Sequence, residues 1–189
     1  MRVYLKISFL SLLSLLVLIP AVRAASLDQA AIEAYVSSLE PVKALGERLQ
    51  SEGRQNFLER EVLPRSGEPF DPHRRGVVAL QRDSADDYRE LTRIVQQHGF
   101  TSAESWALTG DRVVLAYGAL KAEAESPEVL QMAAQMKDMD PAMLQLLPPE
   151  ARQQMDQALA IARAIASVPQ ADRAVVRPYL ARLDQLFSR

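Results

Sequence analysis

The residues of this chain best suited to chemistry or recognition fall in two stretches. One, LQMAAQMKDMDPAMLQLLPPEARQQM, holds every methionine except the initiator: Met132, Met136, Met139, Met143 and Met155. The other, RSGEPFDPHRRG, puts Phe70, His73, Arg74 and Arg75 into one segment rich in proline and glycine. Thioether sulfur is the soft ligand that copper(I) favours. Copper-handling methionine segments usually add His or Cys, however, and this one has neither. The first four of these methionines recur at i, i+4, i+7 and i+11, one stripe on an unbroken helix, although Asp140-Pro141 starts a new turn. A stripe of this kind fills gaps in a core or lines an adaptable groove. Between Lys121 and Glu150 six acids face two bases, so a groove there suits apolar, basic segments. Core packing is the first expectation. Should the stripe face outward, Met132, Met136, Met139 and Met143 are the candidate partner-binding residues. Phe70, His73, Arg74 and Arg75 are the second candidates, because loops on rigid scaffolds often carry binding residues.

Catalysis has less to stand on. The chain has two histidines, His73 in the proline-rich segment and His98 at a helix end, where a cation complements the helix dipole. No serine in a nucleophile-elbow context accompanies either, and no HExxH, Walker loop or dinucleotide fingerprint occurs. The fragment AESWAL around Glu104 resembles the glutamate-serine helix of lytic transglycosylases over a few residues. That resemblance implies a general acid with a raised pKa. The downstream motif of that family is absent, and Glu104 also reads as the second member of a capping box with Thr101. With no cysteine, the chain has no disulfide, zinc–thiolate site or cysteine nucleophile. No catalytic residue, metal or cofactor is assigned, and the expectation is a protein that is not an enzyme.

Compartment comes from the N-terminus. Arg2 and Lys6 precede an uncharged apolar run from Ile7 to Ile19, Pro20 breaks it, and AVRA supplies a small-residue cleavage site after Ala24. This is the layout of a secretory signal peptide over residues 1–24, with a mature domain over 25–189. The run is short against the roughly 20 residues of a membrane span. An uncleaved inner-membrane anchor is the alternative. Removing three cations (Arg2, Lys6, Arg23) takes the formal charge from −2 to −5. An acidic protein has no overall electrostatic reason to bind nucleic acid. A bacterial periplasm fits best, with membrane contact only transiently during export.

The elements that must position these residues are helical. Ser26 with Gln29 makes a capping-box pattern, and Ile32, Tyr35, Val36, Leu39, Val42, Leu45 and Leu49 form an apolar stripe. Pro41 predicts a kink or a fresh start within it. Asp71-Pro72 opens a short helix through Val77, Val78 and Leu80, and Ser84 opens another. Gly99 is the left-handed terminator, with Phe100 folding back on Val95 or Ile94. Trp106, Gly110, Val113, Tyr117 and Leu120 share a face, and Gly110 between two aromatic rings marks a close approach by another helix. Trp106 is expected to be buried near Gly110 and Tyr117. The alanine-rich segment after Pro149 reads as a buried helix, and the arginines that follow Ala151 are expected to pair with the acidic segment before it, with a surface for anionic lipid as the alternative.

The expected fold is all-α, a single-domain bundle of roughly six to eight short antiparallel helices after a cleaved signal peptide. The expected function is binding of another protein or peptide, as an adaptor or chaperone. A carrier of a small apolar ligand such as lipid, held between helices, is the alternative. The partner's identity and the oligomeric state are not legible.

Overall fold

The computed structural model describes residues 27–54, 63–64, 68–128, 130–131 and 147–187. Among these residues the chain is all-α, with no strand. The helices are α1 (Gln29–Ser51), α2 (Pro72–Asp83), α3 (Ala85–Gln97), α4 (Ala103–Glu125), α5 (Pro149–Ala166), α6 (Gln170–Val176) and, after a 3₁₀ turn at Arg177–Tyr179, α7 (Leu180–Phe187). Met132, Met136, Met139 and Met143 lie outside the described residues. Met155 is a half-buried residue of α5.

α4 is the helix around which the others gather, touching α1, α2, α3, α5 and α6. Small residues make this possible. Ala103, Ala107, Gly110, Ala116 and Ala119 are all buried, interleaved with Trp106, Val113 and Leu120. Short side chains let several backbones approach one helix, while the bulky ones fill the space between them. α1 contributes Ile32, Tyr35, Val36, Leu45 and Leu49, and α3 contributes Leu91, Ile94 and Val95.

The helix ends follow their residues, with four departures from the sequence expectation. α1 starts at Asp28, whose carboxylate accepts from the Ala31 amide at 2.8 Å. Pro41 does not restart α1, which runs on from Gln29 to Ser51. Buried residues on both sides of the proline hold the two halves on one core face, which outweighs the single donor lost. α4 is capped by Ser102 and Ser105 rather than Thr101 and Glu104. The Ser105 amide donates to Ser102 Oγ at 3.2 Å, and the Ser102 amide donates to Ser105 Oγ at 3.1 Å. α5 buries only Leu159, so its alanines reflect helix propensity rather than a buried position. As expected, Gly99 takes φ of 91° and the Phe100 amide donates to the Val95 carbonyl at 3.1 Å.

Candidate functional site

Where α1, α2 and α4 meet, a polar chain crosses an otherwise apolar junction. Pro72 occupies the first turn of α2 and brings His73 against α4, so His73 belongs to a helix rather than to a loop. Asp111 Oδ1 accepts from the His73 backbone amide at 2.7 Å and lies 3.2 Å from His73 Nδ1. Its Oδ2 accepts from Arg74 Nε at 2.9 Å. On the far side of the ring, His73 Nε2 lies 2.8 Å from the Tyr35 hydroxyl. An ionised carboxylate can only accept, so Nδ1 carries the ring proton and Nε2 accepts from Tyr35. Asp71 does not cap α2 with its side chain; its carboxylate pairs with Arg74 at 3.0 Å.

Gly110 makes this junction possible. A Cβ there would lie 2.7 Å from His73 Cδ2 and 2.8 Å from Tyr35 Cε2. The close approach expected at Gly110 is present, with Tyr35 and His73 as the rings that use it. Trp106 is 5 % exposed and stacks edge-on to His73 at 5.1 Å, with its indole N–H donating to Ser38 Oγ at 2.8 Å. Tyr117 is not beside it. Eleven residues along one helix is about 16 Å, and Tyr117 instead packs on Phe187 and donates to Asp184 at 2.7 Å.

Two clefts open on this junction and share Val42, His73 and Trp106. The first, about 220 Å³, is completed by Leu39, Glu40, Lys43, Leu186 and Phe187. The second, about 130 Å³, runs between Gly46 on α1 and Val77 and Leu80 on α2, with Leu91 of α3 behind them. Both ring nitrogens of His73 are engaged by protein, so the ring offers its carbon edges to the clefts. The walls are therefore apolar at their centre, with Glu40 and Lys43 charged at one rim.

The arrangement resembles a nucleophile–histidine–aspartate relay in order, but its first member is sealed. Tyr35 is 0 % exposed, and burial, then the Asp111 charge, push its phenol well above the usual range. Such a hydroxyl is a hydrogen-bond donor that ties helices together. Glu104 is likewise unlike a general acid: it is exposed, and the Tyr88 hydroxyl donating to it at 2.6 Å holds its carboxyl below the usual range.

Of the residues singled out in the sequence, His73 is central here. Arg74 is the outer support of Asp111, and Arg75 pairs with Glu68. Phe70 is half-buried just before α2. His98 caps α3 and its Nδ1 lies 3.0 Å from Ser37 Oγ. Of the arginines after Ala151, Arg173 reaches Glu123 of the acidic segment, as expected, whereas Arg182 pairs with Glu33 on α1. Sequence reading missed Tyr35, Ser38 and Asp111. The available signal was Asp111 itself, an acid four residues after Ala107 and eight after Ala103 on a face of small residues. Comparison with family models, curated proteins and solved structures finds no match to this chain.

Proposed function

We propose that this protein is an exported, periplasmic binding protein, a single-domain helical bundle released from its signal peptide near Ala24, that captures apolar side chains of a peptide or protein partner without catalysis. The observation that carries the proposal is the pair of adjoining clefts around Val42, His73 and Trp106, apolar at the centre while the polar groups of Tyr35, His73 and Trp106 behind them are engaged internally. Rigid apolar pockets flanked by an aromatic anchor are where partner side chains bind most strongly. Clefts of about 220 and 130 Å³ suit one anchor side chain each. Ligand-sized pockets are typically about 300–1,000 Å³, so side-chain anchors are favoured here over a whole lipid. Two neighbouring anchors on one partner helix sit at i and i+3 or i+4.

Gly46 provides the test. It lines the second cleft, and a Cβ there meets nothing within 4 Å. Gly46→Leu therefore places a bulky apolar side chain at the mouth of the cleft from a Cβ that displaces nothing. Peptides selected by display against the purified chain should carry two apolar anchors at helical spacing. They should bind Gly46→Leu at least about tenfold more weakly, a loss of about 1.4 kcal/mol, with thermal stability retained. Equal binding to both proteins would move the partner site away from the clefts.

A further inference from the structure

We propose that the clefts are proton-gated through His73: an apolar occupant binds while that ring is neutral and is released as the ring takes a proton. The inference rests on the cleft proposal above and concerns its regulation.

With the ring neutral, each of its nitrogens has one role. His73 Nδ1 donates to Asp111, and Nε2 accepts from Tyr35. A second ring proton arrives on Nε2, 2.8 Å from the Tyr35 oxygen. The Tyr35 hydroxyl must then turn its own hydrogen away, in a site where that residue is 0 % exposed. The imidazolium also needs hydration, and the His73 side chain, 16 % exposed, lines both clefts. Open clefts let water reach it. An apolar occupant excludes that water and leaves the charge against a desolvated wall, which disfavours the charged form. Binding and protonation oppose each other, and linkage makes the opposition reciprocal. Acid must therefore weaken the occupant.

The other charges around the ring do not reverse this sign. The Asp111 carboxylate is already buried with the clefts empty, so filling them changes its attraction for the ring less than it changes the access of water to the ring. Arg74 holds both Asp111 and Asp71 and is half exposed, and Arg75 is spent on Glu68. From α1, Glu40 and Lys43 stand exposed at the rim with opposite signs. α7 presents only Leu186 and Phe187 to the first cleft. Asp71 is the competing proton acceptor, since burial raises its carboxyl above the ordinary value.

The probe is N-phenyl-1-naphthylamine, an apolar fluorophore whose charge does not change near neutrality, bound to the purified full chain. Trp106, the sole tryptophan, reports its arrival by energy transfer. Affinity at about pH 5 is expected to be about tenfold weaker than at about pH 8, equivalent to a one-unit displacement of the His73 midpoint by the probe. NMR titration of the His73 ring with and without probe measures that displacement in the unaltered protein. Whatever affinity His73→Gln retains should be independent of pH, whereas Asp71→Asn and His98→Gln should keep the dependence. Equal affinity at both pH values, an undisplaced His73 midpoint, or a pH dependence that survives His73→Gln overturns the gating alone. Absence of probe binding at every pH overturns the cleft proposal and the gating with it.

Discussion

The Tyr35 hydroxyl lies 2.8 Å from His73 Nε2, which joins α1 to α2 across 38 residues of sequence. Tyr35→Phe keeps the ring and removes the hydroxyl that reaches Nε2. A buried acceptor left without its donor costs about 1–3 kcal/mol. Because His73 borders a cleft that water can enter, the lower half of that range is expected, read by urea denaturation. An unchanged midpoint would show that the hydroxyl contributes nothing to the junction.

Gly110 and Gly46 should respond oppositely to alanine. Both lie inside long helices at ordinary negative φ, so local propensity favours alanine at each by up to about 1 kcal/mol. At Gly46 nothing opposes that gain, because the new Cβ meets open space. At Gly110 the Cβ lands 2.7 Å from the His73 ring and 2.8 Å from the Tyr35 ring. Overpacking costs about 1–3 kcal/mol, so Gly110→Ala should melt lower and Gly46→Ala higher than the unaltered protein. A stabilised Gly110→Ala would mean that the three helices separate more easily than their contacts imply.

These two glycines also show what sequence can carry. Gly110 was legible because it sits between bulky residues on one helical face, a local pattern. So were the Gly99 terminator, the burial of Trp106 and the all-helical class, each a matter of residues within a turn or two of one another. The His73 junction was not, because Tyr35, His73 and Asp111 are each 38 residues from the next and no local rule pairs them. The prolines and glycines around it made His73 look like part of a loop, yet Pro72 opens a helix there and the Arg74 guanidinium serves the carboxylate that holds the ring. Ser105 takes the place expected for Glu104 in the capping box for a comparable reason. The Tyr88 hydroxyl, 16 residues away, gives that carboxylate a better use.

Trp106 should be the costliest single truncation near the clefts. It is 5 % exposed, packs on Tyr35 and His73, and its N–H reaches a fully buried Ser38. Trp106→Ala is expected to lose about 3–5 kcal/mol. Ser38→Ala isolates the polar part, since it leaves the indole in place with an unpartnered N–H, at about 1–3 kcal/mol. Denaturant midpoints for both variants separate packing from hydrogen bonding. A loss below about 1 kcal/mol for Trp106→Ala, well short of core values, would place the indole on a partner surface.

Acid should unfasten α1 from α3 at Asp87. That carboxylate is 4 % exposed and takes Arg48 at 3.0 Å and Arg54 at 2.5 Å, with the Ser84 hydroxyl as a further donor. Burial by itself would raise its pKa, but the bonds from Ser84, Arg48 and Arg54 outweigh burial and hold it below the ordinary aspartate value. A depressed folded pKa contributes stability that is complete above the unfolded value, about 3.9, and is lost as pH falls through the folded one. Stability should therefore be insensitive to this group near neutrality and fall below about pH 4. Asp87→Asn keeps the shape and removes the charge, so it should destabilise the protein near neutrality and flatten the acid limb of stability against pH. An acid limb of unchanged steepness in Asp87→Asn would assign the acid sensitivity to other carboxylates.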